Sequence, residues 1–299
     1  MRKADNPFEP GAGTRPPELV GRESMLEDAE AAIAKGTSGR PIRGQIYYGL
    51  RGVGKTVLLR AISGIAVKHN GLVVDLEAPE DKRLVELIAP AMRKLLIELS
   101  GAEKAKAILQ QAAGVLQAFA AKFKVKIGDI GLEIKNPSGT ADSGDLEMDL
   151  PELFLTVAGV AKRNNKIIIL ALDEMQYLSE IDLSALITAI HRVNQKSMPL
   201  GLFGAGLPQL LSKAGNAKSY SERLFQFTEI GALSEVDARR AVRDPIVSAK
   251  AEIRADALDV IFSKSQGYPY FLQEWGFRTW NEAKSSPISK DDVVAAEVK

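Results

Sequence analysis

Apolar residues recur along this chain with two different spacings that take turns. Short runs at 45–48, 71–77, 166–172 and 200–204 are rich in Ile, Leu, Val, Tyr and Phe, most continuously at 166–172, the pattern of a strand buried on both faces, and 225–230 gives one more strand. Between them, apolar positions fall three and four apart. Helices are expected from about 19 to 35, from Val57 to His69, over 83–99, 103–122, 150–162 and 183–194, and from near Pro208. Strands alternating with helices predict a parallel α/β sheet. Residues 125–134 alternate about Gly128 and Asp129 and predict a short β-hairpin, with Lys122, Lys124 and Lys126 on its solvated face. From Ser234 onward no strand pattern remains. Ser234 with Asp237, and Ser289 with Asp292, have the spacing of helix N-terminal capping boxes.

The resulting organisation is an extended arm over 1–18, an α/β domain over 19–233 and a helical domain over 234–299. Pro7, Pro10, Pro16 and Pro17, with Gly11 and Gly13, argue against regular structure in the arm. The α/β domain carries an insertion of helix and hairpin at about 101–146, and residues 136–144 read as a loop. Tyr268, Tyr270, Phe271 and Trp275 fall at helical spacing, which assigns them to the core of the helical domain.

Composition narrows the function classes. The chain has 299 residues, 45% apolar and 26% charged, which is ordinary for a globular protein. No apolar run is long enough to cross a membrane and no signal core opens the chain, so a cytoplasmic location is expected. It has no cysteine and only 2 histidines, His69 and His191, so thiolate and imidazole metal sites are not expected. Lys and Arg number 39 against 38 Asp and Glu, a poor footprint for a dedicated nucleic-acid binder.

The chemistry is concentrated in two stretches. Gly49-Leu50-Arg51-Gly52-Val53-Gly54-Lys55-Thr56 is a complete phosphate-binding loop between a strand and a helix. Its glycines let backbone N–H groups approach phosphate, Lys55 supplies charge to the β and γ oxygens, and the Thr56 hydroxyl suits Mg²⁺. Val57 continues the loop into the helix, whose N-terminus favours an anion. With glycine near 7% of residues, a chance match in a chain of this length is on the order of one in a hundred. The second stretch ends the strand at 166–172 with Asp173 and Glu174. Carboxylates at the carboxyl end of a parallel strand lie where open α/β sheets bind ligands. Asp173 is expected to hold Mg²⁺ and Glu174 to deprotonate the attacking water.

Several motifs together resemble bacterial AAA-type ATPases related to the origin-recognition and archaeal signal-transduction ATPase groups. They are Leu19-Val20-Gly21-Arg22-Glu23, the loop at Gly49, Asp173-Glu174-Met175-Gln176, Gly204-Ala205-Gly206-Leu207-Pro208, Glu222-Arg223-Leu224-Phe225 and Gly267-Tyr268-Pro269-Tyr270-Phe271-Leu272-Gln273. Resemblance runs from Asn6 to Lys299. It implies a P-loop NTPase fold of three αβα layers, with a mostly parallel five-stranded sheet in the order 5-1-4-3-2 and a helical lid. It also implies that Val20 and Gly21 touch the adenine and that Arg223 is an arginine finger for a neighbouring subunit's γ-phosphate. A surface ion pair explains Arg223 as well.

Two departures from the family pattern stand out. The strand near Leu202 ends in Gly204-Ala205-Gly206, without a polar sensor side chain, and Tyr270 stands where a lid arginine is usual. Relatives commonly continue into a winged-helix domain, and this sequence stops where that domain would begin. ATP or ADP and Mg²⁺ are the expected ligands, with a homo-oligomer and a protein or DNA partner compatible with the resemblance. A slow ATPase acting as a nucleotide-controlled switch is the leading reading. An ATP-binding scaffold without hydrolysis and a small-molecule P-loop kinase, with Asp75 or Glu77 as base, stay open beside it.

Overall fold

A computed structural model describes residues 1–11, 19–100, 106–129 and 140–297. The chain divides into two compact units. The first comprises Asp28–Tyr48 and Leu59–Thr228, and the second comprises Met1–Glu27, Gly49–Leu58 and Glu229–Lys299.

The first unit is built on a sheet of five parallel strands: β1 (Gly44–Tyr48), β2 (Leu72–Glu77), β3 (Ile168–Asp173), β4 (Leu200–Gly206) and β5 (Phe225–Glu229). Their spatial order is β2-β3-β4-β1-β5, the order that the family resemblance implies. Every residue of β3 and β4 is buried, which requires cover on both faces. Alternate β3 residues Ile168, Leu170 and Leu172 join one large apolar cluster with Phe154, Ile187 and Leu96. Those partners lie on α3 (Leu84–Leu99), α5 (Leu146–Arg163) and α6 (Glu180–Gln195). β2 is an edge strand and exposes Asp75 and Glu77. The parallel registers put Glu77 opposite Asp173 and Tyr48 opposite Gly206, so these strands end along one edge.

Helix starts follow their caps rather than their prolines. α5 begins at Leu146, four residues earlier than its apolar spacing predicts, because the Asp145 carboxylate accepts the Glu147 N–H. Pro151 consequently sits inside the helix. α4 (Lys106–Lys122) ends where predicted, but residues 125–129 form no strand. Lys124 takes a left-handed backbone (φ 58°) at the turn instead. The other arm of the expected hairpin, 130–134, lies outside the described residues.

The second unit has its own core. α9 (Glu235–Ser248), α10 (Ala255–Ser265), α11 (Pro269–Glu282) and α12 (Lys290–Glu297) enclose Val242, Ile246, Ile261, Leu272, Trp280 and Val293. Both expected caps form: Ser234 Oγ accepts the Asp237 N–H, and Ser289 Oγ accepts the Asp292 N–H, where the Ser289 N–H donates in return to Asp292 and completes a capping box. The start of the chain is docked here rather than loose. Phe8 is 1% exposed and packs where Gly276 has no side chain. Asn6 donates to Phe277 O, and Trp280 Nε1 donates to Arg2 O. Apart from a 3₁₀ turn at Lys3–Asp5, the arm has no regular structure over its first eleven residues. Its remainder, 12–18, lies outside the described residues. Among the described residues no helix is long and apolar enough to cross a membrane.

Candidate functional site

The phosphate loop leaves β1 directly and runs into α2 (Lys55–Lys68), so Lys55 and Thr56 occupy the first turn of that helix. Gly49 is required by space, since a Cβ there would stand 2.1 Å from Ile230 O. Gly52 is required by conformation, with φ +80° in the left-handed region. The buried Lys55 turns its ammonium back onto the loop, donating to Gly49 O at 2.9 Å and Leu50 O at 2.8 Å. Lys55 therefore also holds the shape of the loop.

Other residues of the same unit grip the loop from outside. Arg22 is buried and donates to Gly21 O at 3.1 Å, Val53 O at 3.4 Å and Gly231 O at 2.6 Å. Burial lowers its pKa, while Asp237 and Glu23 oppose that shift. The Tyr268 hydroxyl donates to Arg51 O, and the Tyr270 N–H donates to Gly52 O at 3.1 Å. Val20 is part of the helical core, and Gly21 (φ +70°) is pressed against Leu233 and Asp237. These contacts correct the expectation for the aromatic run. Tyr270 and Phe271 are 45% and 48% exposed, whereas Trp275 packs against the helical core as expected, beside Leu272 and Trp280. Leu50, beside Arg51, is 61% exposed.

In the first unit, β3 delivers Asp173 and Glu174 at its carboxyl end. Asp173 is buried, and its Oδ1 accepts the Glu174 N–H at 2.8 Å. Glu174 adopts a left-handed backbone (φ 55°, ψ 35°) ahead of a 3₁₀ turn at Met175–Tyr177. That conformation is uncommon for a residue with a side chain and is concentrated at functional sites. Among the described residues no group of three or more His, Asp or Glu side chains could enclose a metal. The Asp173 carboxylate, and in the second unit the Thr56 hydroxyl, are each hard oxygen donors of the kind that Mg²⁺ prefers.

Arg223 lies on α8 (Ser221–Leu224), is exposed, and makes no ion pair among the described residues. With His191, Tyr220 and Leu224 it borders an open hollow of about 260 Å³. The His191 and Tyr220 rings stand 4.8 Å apart. The other histidine, His69, meets Glu30 at the surface.

A family model of the AAA ATPase domain matches residues 18–203, more than half of the chain. The chain belongs to the AAA ATPase family. No curated protein matches its sequence. Solved AAA structures share the fold at low identity. The Aeropyrum pernix ORC2 protein, in ADPNP and ADP complexes, is 14% identical with a TM-score of 0.60, covering 97% of this chain and 72% of that one. The Thermotoga maritima RuvB Holliday junction branch migration motor is 16% identical with a TM-score of 0.54, covering 95% and 72%. The Aeropyrum pernix ORC1 protein in complex with DNA is 16% identical with a TM-score of 0.53, covering 95% and 66%. Within this AAA ATPase, Arg22, Gln176 and Tyr268 carry contacts that motif reading left unassigned. Each lay inside a recognised motif, but its partner is distant in sequence or has no pattern of its own.

Proposed function

We propose that this AAA ATPase hydrolyses ATP slowly and uses the bound nucleotide as a switch on protein or DNA partners. The observation that carries this reading is the pairing of a complete phosphate loop after β1 with Asp173 and Glu174 at the end of β3, in the AAA strand order. The loop N–H groups and the start of α2 take the phosphates, and Lys55 exchanges its bonds to Gly49 and Leu50 for phosphate oxygens. Thr56 and Asp173 would hold Mg²⁺, which would supply positive charge to the phosphates. Glu174 takes a proton from the attacking water as its oxygen approaches phosphorus in line, and ADP leaves.

Slow turnover is inferred from β4, which ends in glycine and alanine, and from Tyr270 in place of a lid arginine. The same two features favour a second reading, an ATP-binding scaffold that does not hydrolyse. ATP turnover with and without DNA, together with solution mass in ADP and in ATP, separates the readings. A switch hydrolyses ATP on the scale of minutes and changes mass or partner affinity with the nucleotide. Binding without turnover leaves the scaffold, and DNA-stimulated turnover favours a DNA partner.

A further inference from the structure

Gln176 lies two residues past Glu174 and is buried, so its amide needs partners on both sides. Its Oε1 accepts the Leu207 N–H at 2.9 Å, and its Nε2 donates to Glu174 Oε2. The direction of the amide is not arbitrary. A backbone N–H can only donate, so the oxygen must face Leu207 and the NH₂ must face the carboxylate. The same segment is tied once more, because Lys213 Nζ of α7 (Gln209–Ala217) donates to Gln176 O at 3.0 Å. Leu207 directly follows β4, the strand whose end has no polar side chain.

Packing explains that missing side chain. A Cβ on Gly204 would stand 2.2 Å from Met175 Sδ, and one on Gly206 would stand 2.7 Å from Leu210 Cδ2 and 2.9 Å from Gln176 Oε1. Met175 and Gln176, with Leu210 of α7, therefore fill the space that side chains at the end of β4 would need. A small β4 end and a glutamine at position 176 are one arrangement.

We propose that Gln176 is a positioning residue: a polarised amide that fixes the Glu174 carboxylate and links it to the turn between β4 and α7. This rests on Glu174 being the general base. Gln176 engages Oε2, which leaves Oε1 to accept the proton of the attacking water. With the Glu174 backbone already set in the left-handed region, the amide removes the remaining freedom of the carboxylate. No proton or bond changes at Gln176 itself.

The test uses the full chain and four variants: Gln176→Met, which keeps length and volume without hydrogen bonds; Gln176→Glu, which still accepts from Leu207 but cannot donate as a carboxylate; Glu174→Gln; and Gln176→Met combined with Glu174→Gln. Turnover rate, KM and the affinity for a fluorescent ATP analogue with Mg²⁺ are measured for each. Both Gln176 variants are expected to keep KM and analogue affinity while kcat falls about ten- to a hundredfold, the cost of one charge-assisted hydrogen bond. Added to Glu174→Gln, Gln176→Met is expected to slow single turnover no further, since the two act as a unit. If Glu174→Gln is inactive but both Gln176 variants turn over at the parental rate, the positioning role is overturned and the general base stands. If KM rises and analogue affinity falls along with the loss of kcat, the role is structural and the proposal is equally overturned. Normal turnover by Glu174→Gln removes the general base and this proposal with it. Should Gln176→Met fail to fold, Gln176→Glu alone decides, by slow or parental kcat at unchanged KM.

Discussion

Lys55 holds Gly49 O and Leu50 O through its ammonium, so one truncation removes two things. Lys55→Ala takes away a charge aimed at phosphate, a loss of about 2–5 kcal/mol in binding where a buried charged partner is truncated. It also releases two loop carbonyls. The expected outcome in calorimetry is ATP binding too weak to detect at micromolar protein, with a melting temperature lowered by a few degrees. Parental affinity would show that the loop does not hold phosphate. The acidic pair separates differently. Glu174→Gln keeps shape and removes the base, so Mg²⁺-ATP should bind normally while turnover falls about 10²–10⁴-fold. Asp173→Asn should weaken binding only when Mg²⁺ is present, which titrations with and without chelator distinguish. Both motifs could be read from the sequence because each is contiguous and needs no distant partner, and the roles proposed for them are what these variants test.

At the level of elements, legibility depended on whether local signals agreed. β3 announced itself through an unbroken apolar run, and α9 and α12 through their capping boxes. α5 did not, because Pro151 argues locally for a start near residue 150 while the Asp145 cap and the buried faces of Leu146 and Leu150 win. Alternation over 125–129 likewise gave a strand period to a segment without strand pairing. The aromatic run of α11 misled for a related reason. Helical spacing shows which residues share a face, but not that Tyr268 and Tyr270 meet the phosphate loop while Trp275 packs against the core. That contact yields a prediction at Gly52, where a Cβ would lie 3.1 Å from Tyr268 Cε1 and Tyr270 Cβ, with φ +80°. Gly52→Ala would place a side chain in the left-handed region, a cost of roughly 1–2 kcal/mol, and also push on both tyrosines. ATP affinity should fall at least tenfold, with far-UV circular dichroism unchanged. Unchanged affinity would mean that the loop relaxes without consequence for phosphate.

For the molecule as a whole, the strand order and the helical lid followed from recognising the family, and β2-β3-β4-β1-β5 agrees with it. Assembly is not written in any single chain, and Arg223 is where it can be tested. Arg223 is exposed on α8, has no ion pair among the described residues, and borders a hollow with His191 and Tyr220. A cation left exposed in this way suits a charge supplied by another molecule better than a surface pair. If that charge is the γ-phosphate on a neighbouring subunit, Arg223→Ala should leave ATP affinity within about twofold of the parent. Turnover should then fall on the order of 10³-fold, as when an arginine finger is withdrawn. Turnover per chain of the parent should rise with protein concentration, because the site is complete only in an assembly. Mixing Arg223→Ala with Glu174→Gln supplies the deciding measurement. Each variant is inactive alone, but an interface that pairs the intact base of one chain with the intact Arg223 of another recovers part of the rate. Equal mixtures should therefore hydrolyse ATP measurably faster than either variant at the same total concentration. A protein that stays monomeric with ATP, and whose turnover ignores both Arg223→Ala and dilution, would show that Arg223 plays no part in hydrolysis.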